Sequence, residues 1–175
     1  MEVLRTERLI LRRLTLDDAE FVLELVNDPD WLRYIGDRGV RTLDDARAYL
    51  LGGPLAMYER FGFGLYCVAL GESGVSIGIC GLLKRDALED VDIGFAMLPA
   101  FRTHGYAYEA AAATLEYAAQ ELGLARVVAI VSPENEASMR LLGKLGLSLE
   151  RMTRLTAAGK EVCLFGPTVY PTAST

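Results

Sequence analysis

Arg102-Thr103-His104-Gly105-Tyr106-Ala107 lies between a run that reads as a strand ending at Leu98 and a run that reads as a helix over Gly105 to Leu122. Such a junction aims unpaired backbone N–H groups and the positive end of the helix dipole at one point, and a glycine there lets a ligand approach the backbone closely. That arrangement suits a phosphate or pyrophosphate. A plain connecting loop fits the same residues, because glycine is common at a helix start. Further along, Asn135, Ser138 and Leu142 stand three and four residues apart and share one helical stripe. The ordinary structural uses of such residues are a cap for the asparagine and a bond back to its own turn for the serine. The lone histidine, His104, sits in the junction, where it can donate to a phosphate or face water. No G-x-S-x-G occurs. Cys67, Cys80 and Cys163 have no C-x-x-C spacing and with one histidine cannot supply a structural zinc site, so no metal is expected.

The elements that must position these residues follow from periodicity. Leu9 to Leu14 reads as a strand, and Thr15 caps a helix carrying Phe21, Val22, Leu25 and Val26, broken by Asn27-Asp28-Pro29-Asp30. Thr42 caps a second helix that Gly52-Gly53-Pro54 ends. Leu65 to Leu70 and Val75 to Leu83, joined by Gly71-Glu72-Ser73-Gly74, read as a hairpin. In the next strand, Val91 to Leu98, the odd positions are bulky while Asp92, Gly94 and Ala96 are polar or small, so one face packs and the other leaves room. Pro99 stops the ladder. After the alanine-rich helix come a strand over Arg126 to Val131, a helix opened by Ser132 with Pro133 at its first position and running to Gly146, and a strand at Val162 to Phe165. The uncharged tail from Gly166 is expected to be poorly ordered, leaving one domain over residues 1–166 and a short tail at 167–175.

Composition narrows the class. With 51% hydrophobic residues in 175, the chain can bury one real core, and disordered, collagen-like and coiled-coil readings fall away. Eighteen Lys plus Arg against 24 Asp plus Glu give a net charge of -6, which disfavours a general nucleic-acid partner and favours cationic ones at long range. Free cysteines in odd number, a charged N-terminal segment without the apolar region of a secretory signal, and no membrane-length apolar run lead to the expectation of a soluble cytoplasmic protein.

Arg102-x-x-Gly105-x-Ala107 is similar to the Q/R-x-x-G-x-G/A signature of the GNAT acyltransferase superfamily. Thr6-Glu7-Arg8-Leu9-Ile10-Leu11-Arg12, Gly78-Ile79-Cys80-Gly81-Leu82, Asp92-Ile93-Gly94-Phe95, Gly105-Tyr106-Ala107-Tyr108-Glu109-Ala110 and Asn135-x-x-Ser138 through Gly146 resemble its RimJ/RimL-like branch in order and spacing, over roughly residues 3–150. The resemblance implies an α/β (α+β) fold with a mixed, mostly antiparallel twisted sheet flanked by helices and a splayed central strand pair. It implies an N-acetyltransferase that moves an acetyl group from acetyl-CoA directly to a primary amine in a ternary complex. The acceptor would be a protein N-terminus or a small amine such as an amino acid, a polyamine or an aminoglycoside, and the resemblance also allows a homodimer.

By the same resemblance, backbone N–H groups from Arg102 through Thr103, His104, Gly105, Tyr106 and Ala107 would hold the CoA pyrophosphate, with the Arg102 side chain adding a positive charge. The strand ending at Met97 and Leu98 would pair its free edge with the pantetheine amides. Asn135 would contact the pantetheine or thioester region. Many members carry a tyrosine at the position of Leu142 to protonate the departing thiolate; leucine cannot, which leaves Ser138 as first candidate for that proton. Asp92, on the uncrowded face of its strand, is the candidate base, acting through water, although a solvated or salt-bridged aspartate fits the pattern as well. Trp31 and Tyr34 follow the first helix, where the family builds part of its acceptor site; aromatics near a helix end are equally at home in a core. Two rival readings stand beside this one. The missing tyrosine is compatible with a catalytically inactive acyl-CoA-binding module. A Rossmann-type nucleotide binder fails on its fingerprint, since Gly62-x-Gly64-x-x-Cys67 lacks the third glycine and precedes a strand.

Overall fold

The computed structural model describes residues 1–168. Eight strands form one sheet in the order β1-β2-β3-β4-β5-β6-β8-β7, where β1 is Glu2–Arg5, β2 Leu9–Arg13, β3 Leu65–Leu70, β4 Ser76–Leu83, β5 Val91–Met97, β6 Val127–Val131, β7 Leu147–Thr153 and β8 Val162–Pro167. All neighbours pair antiparallel except β5 and β6, which run parallel. The helices are α1 Ala19–Val26, α2 Pro29–Tyr34, α3 Leu43–Leu50, α4 Ala56–Phe61, α5 Tyr106–Gln120 and α6 Glu136–Lys144. This is the mixed, mostly antiparallel, helix-flanked sheet expected from the sequence.

The unbroken apolar run of β3 has a simple cause: both of its faces are covered. Tyr66 and Val68 pack into one core with Ala110, Ala111 and Ala118 of α5, while Leu65 and Cys67 pack into a second with Val22, Leu25, Ala46 and Leu50 of α1 and α3. The three buried alanines let α5 lie close against β4 and β5. Thr15 and Thr42 each complete a reciprocal capping box with an aspartate three residues on, Asp18 and Asp45.

Several boundaries differ from the sequence reading. Asn27 to Asp30 does not merely break a helix: Asp28 caps α2 and Pro29 is its first residue. Gly52-Gly53-Pro54 does not end the second helix either, since a π-helical turn over Leu51–Leu55 carries the chain into α4, which stops at left-handed Gly62. The last helix begins at Glu136, with Asn135 as its cap, rather than at Ser132 and Pro133. Neither β1 nor β7 was expected. Gly166 and Pro167 belong to β8, paired with Ser148 and Leu147, and Thr168 N–H donates to the Gly146 carbonyl (2.9 Å); residues 169–175 of the expected tail lie outside the described residues. Among the described residues no helix is long and apolar enough to cross a membrane.

Candidate active site

Parallel pairing of β5 with β6 stops after Val91 with Val127 and Asp92 with Val128. Beyond that point the strands diverge, and β6 turns to β8 for its partner. Leu98 N–H donates to the Ile77 carbonyl on β4 (2.8 Å). Strand alternation therefore turns the N–H and C=O groups of Phe95 and Met97 toward the gap. This corrects the sequence reading for Leu98, whose amide is used by β4 and whose side chain is buried with α1 and α3. The Met97 carbonyl is also taken, by Arg102 Nε at 3.1 Å.

The chain leaves β5 through a 3-10 turn, Pro99–Phe101, and reaches α5 with Thr103 at φ 65° and Gly105 at φ 80°. Left-handed backbone is ordinary for glycine and strained for a β-branched residue, so Thr103 marks a loop shape that its surroundings impose. Among the described residues, no protein acceptor meets the backbone N–H groups from Thr103 to Tyr108. They form the concave row of donors that an oxyanion-rich group needs.

Glu109 holds this loop from behind. Thr6 Oγ1 donates to its Oε1 (2.7 Å) and Arg8 Nε to its Oε2 (2.7 Å), while Arg8 Nη1 donates to the His104 carbonyl (3.0 Å). Burial works against the Glu109 charge, but these hydrogen bonds outweigh it and hold its carboxyl below the ordinary range. The Arg8 guanidinium also lies over the Tyr106 ring, 4.5 Å from its centre.

The Arg102 side chain corrects a second expectation, that its charge is offered to a diphosphate. Nη1 donates to Asp30 Oδ2 (2.7 Å), Nη2 to Asp28 Oδ2, and Nε to Met97. The guanidinium thus ties α2 to the end of β5. His104 stands outside the cleft: its Nδ1 lies 2.7 Å from the Arg102 carbonyl and its ring stacks on Tyr106.

From the loop a cleft of about 620 Å³ runs along the free edge of β5 to α6, lined by Met97, Thr103, Gly105, Tyr106, Asn135 and Ser138 among others. It meets a smaller cavity of about 240 Å³ on the uncrowded face of β5, and Trp31, Tyr34, Asn135 and Ser138 border both. Asn135 Oδ1 caps α6 by accepting from Ser138 N–H (3.2 Å), as the structural reading allowed. Ser138 Oγ makes no hydrogen bond to a described residue and does not bond back to its own turn. Trp31 is buried in the core of α1 and α3, as the core reading has it, and it also borders the two cavities.

Asp92 is fully buried at the floor of the smaller cavity, where both carboxylate oxygens accept from Arg85 Nε (3.0 and 3.3 Å). Burial pushes its pKa up, and the charge and hydrogen bond of Arg85 pull it partly back. It is salt-bridged rather than solvated. Leu142 is also buried on this wall. Arg38, Tyr49 and Arg85 border the same cavity and were not singled out in the sequence, where they stand in a loop, a helix and a strand connection with no shared spacing.

A family model described as the acetyltransferase (GNAT) domain matches residues 8–148. The chain is 33% identical over 145 residues to the uncharacterized N-acetyltransferase YnaD of Bacillus subtilis (strain 168), covering 83% of this chain and 82% of that one. It superposes on the crystal structure of an acetyltransferase from Agrobacterium tumefaciens str. C58 with a TM-score of 0.80 at 27% identity, covering 95% of this chain and 94% of that one. A ribosomal L7/L12 alpha-N-protein acetyltransferase, RimL, solved in complex with coenzyme A, shares the fold with a TM-score of 0.81 at 16% identity, covering 97% and 98% of the two chains.

Proposed function

The chain belongs to the GNAT acetyltransferase family, and from that premise we propose that it transfers the acetyl group of acetyl-CoA directly to a primary amine within a ternary complex. The observation that carries this reading is the row of unpaired N–H groups from Thr103 to Tyr108 at the mouth of the cleft opened by the parting of β5 and β6. Thr103, Gly105, Tyr106 and Ala107 hold the pyrophosphate there. Phe95 and Met97 pair along the pantetheine arm, and the Asn135 amide lies further down the cleft. Bound acetyl-CoA supplies the electrophilic thioester carbonyl.

The chain's own residues manage protons. An incoming ammonium gives up two: one through Asp92 and solvent, which leaves the neutral amine, and one that ends on the departing sulfur as the N–C bond replaces the C–S bond. Ser138 Oγ, a donor and acceptor without a protein partner among the described residues, relays the second. No cysteine borders either cavity, and burial pushes the Cys80 thiol up to about 12, which suits a route without an acetyl-enzyme. Ping-pong kinetics with an isolable acetyl-enzyme would overturn that route.

Calorimetric titration with coenzyme A tests the loop. Gly105→Val forces a side chain into left-handed backbone at a strain of about 1–2 kcal/mol, and its Cβ would meet Arg8 Nη2 at 3.4 Å. The expected result is about tenfold weaker CoA binding with the fold retained; equal affinity in the variant means the diphosphate lies elsewhere.

Leu142 in place of a tyrosine favours a second reading, an acyl-CoA-binding module without catalysis. CoA binding with no thiol release across a broad amine panel would establish it. Under the enzymatic reading, Ser138→Ala lowers kcat only about tenfold, below the usual range for a lost proton donor, because a thiolate leaves readily without one. The KM for acetyl-CoA is expected to stay put.

A further inference from the structure

The smaller cavity carries charge opposite in sign to the chain as a whole. Its acidic lining is Asp92 alone, and both oxygens of that carboxylate are already engaged by Arg85 Nε. Against it stand two arginines. Arg85 uses only Nε on Asp92, and its two terminal nitrogens make no hydrogen bond to a described residue. Arg38 makes neither an ion pair nor a hydrogen bond with any described residue, and it is exposed. Its loop is nevertheless fixed: Arg41 donates to Asp37 Oδ2 (2.5 Å) and Asn27 Oδ1 (2.9 Å), and Gly39 N–H donates to Asp37 Oδ1 (2.8 Å). The neighbouring ion pair therefore places Arg38 at the cavity without consuming it.

Tyr49 borders the same cavity as both arginines. Burial raises the pKa of the Tyr49 phenol, and the charges of Arg38 and Arg85 act on it in the opposite sense, so the three groups share one corner. A free guanidinium carried on a fixed loop, beside a second with terminal N–H groups to spare, has the donors of a carboxylate receptor. A polyamine or an aminoglycoside would meet uncompensated positive charge there. At about 240 Å³ the cavity is smaller than the pockets that enclose drug-sized ligands, and Ile79, Leu83 and Leu155 give it apolar walls.

We propose that the acceptor is a small amine that itself carries a carboxylate, an amino acid in its chemistry, with the carboxylate held by Arg38 and the free end of Arg85 and the amine turned toward Asp92 and Ser138. This rests on the acetyl-transfer reading above and narrows its acceptor. The long-range preference for cations that the net charge of -6 implies does not extend to this cavity.

The test is a thiol-release assay with acetyl-CoA on the free amino acids, on their amides, on diamines and on a peptide with a free N-terminus and an amidated C-terminus. Calorimetry of the same compounds on the CoA-loaded protein runs beside it. The expected result is a kcat/KM at least about tenfold higher for one or more free amino acids than for their amides, with binding heats in the same order. R38Q is expected to remove that ratio and to weaken amino-acid binding, whereas R47Q, on the exposed side of α3, keeps it. Turnover in which amides, diamines or the peptide equal or exceed the free acids overturns the carboxylate assignment and leaves acetyl transfer standing. Coenzyme A binding with no turnover and no binding heat for any amine removes both.

Discussion

Asp92→Asn is expected to lower kcat/KM about 10²-fold, the lower end of what a lost general base costs, and to erase the acidic limb of the pH profile that this carboxyl sets. Asp92 accepts a proton only when ionised. Burial raises its pKa and Arg85 opposes the rise without cancelling it, so activity in the native protein should fall away at a higher pH than an ordinary solvated aspartate would dictate. The asparagine has no such titration and leaves only that of the amine. A merely structural Asp92 would not move this readout. Some loss of stability is also expected, because the variant leaves the Arg85 charge without its partner. It should fall below the roughly 3–5 kcal/mol of a fully buried broken pair, since the Arg85 side chain keeps 30% of its surface in solvent. Measuring the unfolding midpoint of D92N alongside its pH profile separates the two effects. Unchanged turnover with an unchanged profile would remove Asp92 from the chemistry.

The strand that carries Asp92 was legible because its two faces differ by residue size. Val91, Ile93 and Met97 fill one core while Asp92, Gly94 and Ala96 border the smaller cavity. The loop after it was legible as a strand-to-helix junction with glycine at its turn, and Gly105 does stand in left-handed backbone there, but the same spacing fits a plain connecting loop and does not by itself assign a ligand. What stayed hidden is non-local. Arg102 looks like a free cation in sequence, and the carboxylates that engage it, Asp28 and Asp30, lie 74 and 72 residues away. Arg38, Tyr49 and Arg85 come from three separate segments that only the fold brings to one cavity. At the sheet edges the failure is one of pattern. β1 has four residues, none of them buried, and β7 exposes Leu149 and Met152 together with its charged positions, so neither shows a clean alternation. In Asn27 to Asp30 the same residues serve as a breaker and as a cap with a first-turn proline, and only the packing of Trp31 decides in favour of a helix.

Gly81→Ala should be the most damaging small change to stability. A methyl group there would stand 2.1 Å from the Gly64 carbonyl oxygen and 2.7 Å from Leu65 Cα, so the obstacle is backbone that cannot rotate away. The same carbonyl accepts from Leu82 N–H of β4 at 3.1 Å, which means that this hydrogen bond, just before β3 begins, and the methyl compete for one space. A cost of about 3 kcal/mol, the top of the range for overpacking, corresponds to a fall in Tm of about 6–12 °C at this chain length. Gly94→Ala, directly across from Gly81 on β5, is the discriminating comparison. Its methyl would meet only the ends of side chains, Leu83 Cδ1 at 3.2 Å and Leu65 Cδ2 at 3.6 Å. Those leucines can turn, and the expected cost is under about 1 kcal/mol, while the smaller cavity that Gly94 borders, proposed above to hold the acceptor, loses room. Gly81→Ala should therefore lower Tm with little selective effect on acceptor KM, and Gly94→Ala should raise acceptor KM with Tm nearly unchanged. Equal Tm values for the two variants would mean that backbone proximity is not why β4 carries glycine at this position.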